Sequence, residues 1–148
     1  GANIDVKKNL IKIKTSKSLK GIKVVTEPYP GFPTDLQAQL MSLMSIVSGK
    51  SEIKETVFEN RFMHVPELNR LGAKIKLHKD KALIKGNQKF RGAQVMASDL
   101  RASVSLVLAA LCCEGQTVIN RVYHLDRGYE KIEKYLGNLG AKIKRIKS

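Results

Sequence analysis

The chain has 148 residues, of which 43% are hydrophobic, and its formal net charge is +14 at pH 7. This length is sufficient for one domain with a buried core. No apolar run reaches the roughly 18 residues that a membrane-spanning helix requires, and the N-terminal stretch lacks the order of a secretory signal. We therefore expect a cytoplasmic α/β protein that does not associate with membranes.

The positive charge raises the question of a nucleic-acid partner. Lysine supplies 20 of the 27 basic residues, and a strongly basic domain is typical of proteins that bind nucleic acid. The lysines alternate along predicted strands, however, as in KIKLHK and KIKRIK, which keeps one face of a sheet in water. Aromatic residues that would stack on bases are not interleaved with them. We therefore expect no nucleic-acid partner, and a basic α/β nucleic-acid-binding module is the alternative hypothesis.

The beginning of the chain resembles a later part of the same chain. SLKGIKV at residues 18–24 is similar to KFRGAQV at residues 89–95. Internal similarity of this kind indicates repeated structural units. Residues 1–26 are therefore predicted to be the tail of a unit whose front is truncated.

Residues 27–91 are predicted to form a nearly whole unit. Thr34 and Asp35 are typical of a helix start, because a hydroxyl and a carboxylate accept hydrogen bonds from free backbone N–H groups. Apolar residues at helical spacing then predict one buried stripe, formed by Leu36, Leu40, Leu43, Met44 and Val47. A strand, a second helix and a hairpin complete a βαβαββ order, at residues 52–58, up to Leu71, and at 73–77 with 82–85.

Residues 92–148 repeat this order and lack only its last strand. Asp35 matches Asp99 at an offset of 64 residues, Arg61 matches Arg127 at 66, and LGAKIK recurs at 68. The second helix stripe consists of Leu100, Val104, Val107, Leu108 and Leu111. A strand is predicted over residues 116–124, and then a helix that ends near Leu139.

Duplicated units of this size are too long for a solenoid and are expected to pack around a pseudo-symmetry axis, with helices inward and sheets outward. Such symmetry brings equivalent positions near one another. Arg61 and Arg127, each at a strand-to-helix turn, are therefore predicted to face one cleft. Because a guanidinium group binds a carboxylate or phosphate through two parallel hydrogen bonds, an anionic small molecule is the predicted ligand class.

The cysteines and histidines do not predict a metal site. Cys112 and Cys113 are adjacent and have no second pair at zinc-ligand spacing, so we interpret them as small apolar residues on a helix. The histidines, His64, His78 and His124, are scattered along the chain. We therefore expect no metal.

Four segments carry a resemblance to a known family. They are PYPGFPTDLQAQ (28–39), TVFENRFMHVPEL (56–68), GAQVMASDLRAS (92–103) and YHLDRGYEKIE (123–133). In this order they resemble the enolpyruvyl transferases that act on UDP-N-acetylglucosamine. The sister family that uses shikimate 3-phosphate shares the fold but is not expected to show FPTDLQAQ or VFENRFMH.

The resemblance implies an inside-out α/β barrel built from βαβαββ units. Members of the family have two domains of three such units, with the substrates in the cleft between them. This chain resembles the later part of the C-terminal domain, an incomplete domain with about two of its three units. The N-terminal domain, with the cysteine that acts on phosphoenolpyruvate, is absent. We therefore expect the chain to be inactive alone, either as a fragment of the transferase or as a degenerate product.

The implied activity transfers the enolpyruvyl group of phosphoenolpyruvate to the 3-hydroxyl of UDP-N-acetylglucosamine and releases phosphate. In bacteria this is the first committed step of peptidoglycan synthesis, and it serves cell-wall biogenesis, cell shape and cell division. No cofactor is implied. The implied partners are the two substrates and the missing N-terminal domain, and the open barrel face could also form an oligomer.

By their positions in the family motifs, three residues are predicted to bind the sugar nucleotide. Asp35 touches the sugar hydroxyl and takes its proton, with helix capping as the alternative role. Val57 and Phe58 lodge the N-acetylglucosamine, whereas an apolar pair at a strand end is otherwise ordinary core.

The remaining predicted catalytic residues bind the anionic donor. Arg61, Arg101 and Arg127 are predicted to clamp phosphoenolpyruvate and its departing phosphate. Asp99, the repeat equivalent of Asp35, is predicted to orient an arginine or the donor, with helix capping again as the alternative.

Overall fold

The computed structural model describes residues 1–15 and 19–146. The predicted units 1–26 and 92–148 include residues 16–18 and 147–148, which lie outside the described residues. In chain order, the first elements are β1 (Ala2–Lys7), β2 (Leu10–Thr15), β3 (Lys23–Val25), a 3₁₀ helix (Thr34–Leu36), α1 (Gln37–Ile46), β4 (Lys50–Lys54), α2 (Val65–Arg70), β5 (Lys74–His78), β6 (Lys81–Lys85) and β7 (Phe90–Arg91). They are followed by β8 (Gln94–Met96), α3 (Leu100–Ala110), β9 (Cys113–Glu114), β10 (Val118–Asn120), a 3₁₀ helix (Val122–Arg127) and α4 (Ile132–Asn138).

One four-stranded sheet has the order β3–β4–β6–β5. β3 and β4 are parallel, whereas β6 is antiparallel to both β4 and β5. The predicted hairpin is confirmed, with Lys74 paired to Lys85 and His78 to Lys81. Ile75, Ala82 and Ile84 face the core and are at most 5% exposed, whereas Leu77 and Leu83 are 47% and 44% exposed. The lysines between them face water, as expected for a sheet with one solvated face.

The two units share one strand register. β3, which lies in the predicted tail 1–26, pairs with β4 of the first unit so that Lys23 lies opposite Glu52. In the second unit β8 pairs with β10 so that Gln94 lies opposite Val118. Both pairs are parallel, and the second corresponds to the first after shifts of 71 and 66 residues along the chain. The predicted repeat in the sequence is therefore also a repeat of the backbone.

Two equivalent glycines allow the same close backbone approach in both units. A Cβ added at Gly21 would lie 2.2 Å from the carbonyl oxygen of Lys50, and one added at Gly92 would lie 2.1 Å from that of Gln116. Such distances are far below van der Waals contact, so no residue with a side chain fits either place without a shift of the backbone.

The β1–β2 hairpin has the register of β5–β6 but a different environment. Asn3 pairs with Lys14, which matches the pair of Lys74 and Lys85 after a shift of 71 residues. The β5–β6 hairpin packs on the core, whereas the apolar side chains of β1–β2 are 57% to 69% exposed, namely Ile4, Val6, Leu10, Ile11 and Ile13. The described part of the chain contains no helix that covers this face.

The core is centred on the contact between α1 and α3. The helices approach closely because small residues face each other, and the Ser42 hydroxyl donates to the carbonyl oxygen of Ser105 over 2.9 Å. The predicted apolar stripes are therefore partly wrong. Their buried members are Met44, Val47, Val104 and Val107, whereas Leu36, Leu43, Leu108 and Leu111 are 40% to 50% exposed. No helix among the described residues combines the length and apolarity needed to cross a bilayer.

Three predicted strands differ from the structure. β4 ends at Lys54 and not at residue 58, because the chain turns where Glu55 binds the following backbone N–H groups. β10 ends at Asn120, because Arg121 adopts a left-handed φ of 58° and begins a 3₁₀ helix. Residues 141–146 form no strand, and no counterpart of β6 pairs with them among the described residues.

The absence of that counterpart leaves an apolar groove in the second unit. Its volume is about 590 Å³, and α3, β10, the second 3₁₀ helix, α4 and residues 142–146 line it.

The expectation that both cysteines lie on a helix is also wrong. The helix α3 ends at Ala110, Cys112 is exposed in the following turn, and Cys113 belongs to β9.

Candidate active site

The candidate site forms where the first turns of the helical segments of the two units meet. Asp35 lies on the 3₁₀ helix that precedes α1, and Arg101 lies in the first turn of α3. Because α1 and α3 pack side by side, the Arg101 Nε donates to the Asp35 Oδ1 over 2.5 Å. The Arg61 Nη1 lies 3.5 Å from the same oxygen. Guanidinium groups from both units therefore face one carboxylate.

Arg61 is presented by the loop between β4 and α2. Asn60, directly before it, has a φ of 56°, in the left-handed region that asparagine tolerates better than most residues. The guanidinium carbon of Arg61 lies 4.2 Å from the centroid of the Phe58 ring, a cation–π contact. The asparagine turn thus returns the arginine over the aromatic ring, and only 19% of the Arg61 side chain is exposed.

Asp35 itself is accessible, with 63% of its side chain exposed. The hydrogen bond from Arg101 holds the pKa of Asp35 below its ordinary value, against the opposing effect of burial and with further help from the charges of Arg101 and Arg61. The carboxylate is therefore ionised at neutral pH and is a weak base while both guanidinium groups face it. An anion that took over these groups would restore its basicity.

The two equivalent aspartates have different roles in the fold. Asp99 is the N-cap of α3, and its Oδ1 accepts from the backbone N–H groups of Arg101 at 2.8 Å and Ala102 at 3.1 Å. Asp35 makes no such bond, because α1 begins at Gln37 and has no side-chain cap. Helix capping is therefore confirmed for Asp99 and wrong for Asp35, whose carboxylate turns to the arginines instead.

The predicted sugar-binding residues follow β4 directly. Val57 is half-buried, and the Phe58 side chain is 52% exposed. Their backbone N–H groups donate to the carboxylate of Glu55. Phe58 thus presents an apolar face to solvent beside Arg61 and Asp35.

Glu55 is a residue that the sequence reasoning missed. It is only 5% exposed, and its Oε1 accepts from the Thr26 hydroxyl at 2.8 Å and from the N–H groups of Val57 at 3.0 Å and Phe58 at 3.2 Å. Its Oε2 accepts from the Thr34 hydroxyl at 2.8 Å. A buried carboxylate requires several donors, and here these donors come from three separate segments.

A signal for Glu55 does exist in the repeat. The equivalent position in the second unit, 66 residues later, holds Arg121, and the equivalent of Thr26 is Ala97. Because the two units share one scaffold, an acidic residue in one unit and a basic residue at the equivalent position of the other indicate that the side chain has a role specific to its own unit.

Arg127 does not join this cluster. It is exposed at the end of the second 3₁₀ helix, and over residues 1–15 and 19–146 its side chain makes no ion pair or hydrogen bond with another side chain. Its neighbour Asp126 accepts two hydrogen bonds from Arg145, at 2.8 and 2.6 Å, which hold its pKa below the ordinary value. The structure thus brings together Asp35, Arg61 and Arg101.

The histidines lie apart from each other. His64 is 2% exposed at the start of α2, and burial lowers its pKa to about 4, with the charge of Asp99 opposing the shift. His78 is exposed at the end of β5. Across the part of the chain that the structure describes, no three His, Cys, Asp or Glu residues form a cluster suited to a metal ion.

Comparison with known families places this scaffold. Residues 1–136 match the family described as EPSP synthase (3-phosphoshikimate 1-carboxyvinyltransferase). The chain belongs to this family. The match includes the first unit, the second unit up to residue 136 and every residue of the cluster around Asp35.

Two sequence relatives show which branch of the family the chain resembles. A UDP-N-acetylglucosamine 1-carboxyvinyltransferase from Pelagibacter ubique is 62% identical over 146 residues, which cover 99% of this chain and 35% of the relative. One from Paramagnetospirillum magneticum is 64% identical over 129 residues, which cover 87% of this chain and 30% of the relative. The chain spans about a third of the length of these relatives.

Solved structures of the family agree with the fold. The enolpyruvyl transferase NikO from Streptomyces tendae superposes with a TM-score of 0.89 at 31% identity, covering 97% of this chain and 34% of NikO. EPSP synthase from Acinetobacter baumannii has a TM-score of 0.57 at 18% identity, with 80% and 29% coverage, and supports the fold alone. The predicted resemblance to enolpyruvyl transferases and the predicted partial α/β domain are confirmed.

Proposed function

We propose that this chain is part of a transferase that moves the enolpyruvyl group of phosphoenolpyruvate to the 3-hydroxyl of UDP-N-acetylglucosamine and releases phosphate. The observation that carries the proposal is the accessible carboxylate of Asp35 facing Arg61 and Arg101. A base and two cations suit the transfer of a group from a doubly anionic donor to a hydroxyl. The identity of 62% to a relative with this name supports these substrates.

In this proposal Arg61 and Arg101 bind phosphoenolpyruvate, whose carboxylate and phosphate each accept paired hydrogen bonds from guanidinium. In the structure the Asp35 carboxylate contacts both guanidinium groups, so the incoming anion replaces that carboxylate. Arg127 lies apart from this cluster on its exposed turn, and in the proposal it reaches the departing phosphate only when that turn moves toward Asp35.

The exchange of partners prepares Asp35 as a base. Because Arg101 and Arg61 hold its pKa low, their transfer to the substrate raises that pKa toward the ordinary value. Asp35 then takes the proton of the sugar 3-hydroxyl while the oxygen bonds to C2 of phosphoenolpyruvate. A proton from an acid outside this chain reaches C3 and gives a tetrahedral adduct. Loss of a C3 proton and of phosphate from C2 restores the double bond.

The remaining site residues assist. Val57 and the exposed ring of Phe58 offer an apolar surface and backbone beside Asp35 for the N-acetylglucosamine. Asp99, which caps α3 through the N–H of Arg101, positions that arginine. Addition and elimination of this kind require no metal or organic cofactor.

The proposed cellular role is the first committed step of bacterial peptidoglycan synthesis, in the cytoplasm, and hence cell-wall biogenesis, cell shape and division. The rest of a longer protein would supply the second domain and cover the exposed face of β1–β2. A chain without that part would associate through the open barrel face, which light scattering on the isolated chain would detect as a concentration-dependent mass above 16.5 kDa.

A chimeric transferase tests the proposal. In this chimera the present chain replaces the matching third of the Pelagibacter ubique relative. We expect the chimera to release phosphate only when both substrates are present, and the isolated chain to release none. A folded chimera without activity would contradict the proposal. Tight nucleic-acid binding whose affinity falls steeply with salt would instead support the alternative of a basic α/β nucleic-acid-binding module. The net charge of +14 is the observation that suggests this alternative.

A further inference from the structure

Glu55 connects the segments that carry the candidate site. Its carboxylate is bound by Thr26 at the end of β3, by Thr34 next to Asp35, and by the N–H groups of Val57 and Phe58. Thr56 strengthens this junction, because its N–H donates to the Thr26 hydroxyl over 3.0 Å. Backbone bonds from Thr26 to Lys54 and from Glu27 to Phe32 also join these segments, and Glu55 is the side chain that contacts all three of them.

The bonds of the two carboxylate oxygens divide the site into two parts. Oε1 holds the loop of Val57 and Phe58, and through Phe58 the stacked guanidinium of Arg61. Oε2 holds only the Thr34 hydroxyl, next to Asp35 on the 3₁₀ helix. No cation neutralises Glu55 among the described residues, so its negative charge is stabilised by four hydrogen bonds alone.

The equivalent position in the second unit shows that the scaffold does not require this network. Arg121 lies there and is exposed, and its Nη2 donates to the Tyr123 hydroxyl over 2.9 Å. The strand register is nevertheless the same in both units. A residue needed merely to build the unit would serve both copies.

We propose that Glu55 is a positioning residue that aligns the sugar-nucleotide side of the site, fixing the Val57–Phe58 loop through Oε1 and the turn of Asp35 through Oε2. This inference rests on the proposed function. Glu55 does not touch the α3 turn that carries Arg101, and Arg61 keeps its own ion pair with Asp35. The loss of Glu55 should therefore impair the use of the sugar nucleotide more than the use of phosphoenolpyruvate.

The test uses steady-state kinetics of the chimera. For Glu55→Ala we expect the KM for UDP-N-acetylglucosamine to rise at least about tenfold, and that for phosphoenolpyruvate to change less than about threefold. Glu55→Gln keeps an acceptor at Oε1, and its amide NH₂ can donate to the Thr34 hydroxyl, so this variant should retain most of the activity. Glu52→Ala is the matched control, because it removes a carboxylate on β4 whose ion pair among the described residues is with Lys81.

A second pair of variants remains informative if Glu55→Ala does not fold. Thr34→Val removes only the bond to Oε2 and should lower kcat about tenfold with little change in the sugar KM, whereas Thr34→Ser should restore it. Equal changes of both KM values, or no difference between Glu52→Ala and Glu55→Ala, would overturn the inference. So would a failure of Thr34→Ser to rescue. An inactive unmodified chimera would instead remove the proposed function.

Hydrogen exchange on the same proteins gives a readout that does not depend on activity. In Glu55→Ala the amides of Val57 and Phe58 lose their acceptor, so peptides covering residues 55–61 should exchange faster, while peptides from β8 and α3 should not change. Unchanged protection at residues 57 and 58 would contradict the positioning role even if the kinetics had shifted.

Discussion

The two units use one backbone for two different purposes. Unit one (residues 27–91, together with Gly21 and β3 just before it) and unit two (92–148) share strand register and the glycines that allow close approach. In unit one the carboxylate of Asp35 is directed to arginines, whereas in unit two the equivalent Asp99 caps its own helix. The scaffold is thus set by backbone packing, and the chemistry by the partners that surround each equivalent side chain.

The junction after the central strand shows the same divergence. In unit one the chain leaves β4 held by Glu55 and Thr26. In unit two it leaves β10 through the left-handed turn of Arg121. The difference explains why Phe58 and Arg61 are gathered beside Asp35 while Arg127 stays exposed and apart from them.

Removing the charge of each aspartate in turn should give the largest difference in turnover between the two units. In the chimera, Asp35→Asn removes the proposed base and should lower kcat about a thousandfold with a small change in sugar-nucleotide binding. Asp99→Asn keeps a good N-cap and should lower kcat less than about tenfold. Turnover by initial rate and binding by calorimetry would check both. Near-normal turnover of Asp35→Asn, or equal losses for the two variants, would erase the proposed distinction between the units.

The stability of the folded protein should also depend on pH, because a buried histidine lies at the start of α2. The buried imidazole of His64 has a pKa of about 4, below the ordinary value of 6.5, so the folded state stays neutral where the unfolded state takes up a proton. The free energy of unfolding should therefore keep its full value above pH 6.5 and decrease as the pH drops toward 4. This group should account for a decrease of about 3 kcal/mol in total.

Denaturant unfolding of the chimera at pH 7 and pH 4.5 measures this effect. His64→Leu should reduce the acid-induced loss of stability, whereas His78→Gln, at an exposed position, should leave it unchanged. If both variants lost stability with pH as the unmodified protein does, the buried neutral histidine would not be the cause.

Much of the scaffold could be predicted because its signals are local. The β5–β6 hairpin follows from alternation around a polar turn, and the repeat is visible in matched residues such as Gly21 and Gly92. The site could be predicted in part, since the motifs name Asp35, Arg61 and Arg101. Which of these side chains touch depends on the packing of α1 against α3, and that contact uses serines and alanines that no apolar pattern marks.

Glu55 shows why the rest could not be predicted. In the sequence KETVF it occupies a polar position among strand-forming residues, which indicates a solvated side chain. Its burial depends on hydroxyl donors 29 and 21 residues earlier in the chain, Thr26 and Thr34. Once Glu55 is held there, its local bonds to the N–H groups of Val57 and Phe58 end β4 early, which corrects the predicted strand over residues 52–58.

The two arginines of the matched turns should differ less than the aspartates. Arg61→Ala removes a guanidinium from the cluster and should lower kcat/KM for phosphoenolpyruvate about a hundredfold, while Arg127→Ala, outside the cluster, should lower it about tenfold. Arg61→Lys keeps the charge but not the planar pair of donors and should rescue only partly. Rates at varied phosphoenolpyruvate and saturating sugar nucleotide give the values. A larger loss for Arg127→Ala would show that its unit, and not the pair around Asp35, dominates donor binding.

The glycines test the shared scaffold itself, with the smallest expected effects. A Cβ at Gly21 or Gly92 would meet a backbone carbonyl at 2.2 or 2.1 Å, so Gly21→Ala and Gly92→Ala should each destabilise the chimera by about 2 kcal/mol. Gly137→Ala is the matched control, because Gly137 lies in α4 with no atom within 4 Å of an added Cβ, and alanine favours a helix there. Midpoints of urea unfolding compare the three. Since the two clashes are geometrically alike, losses that differ by more than about 1 kcal/mol would mean that the units do not carry equal shares of the fold.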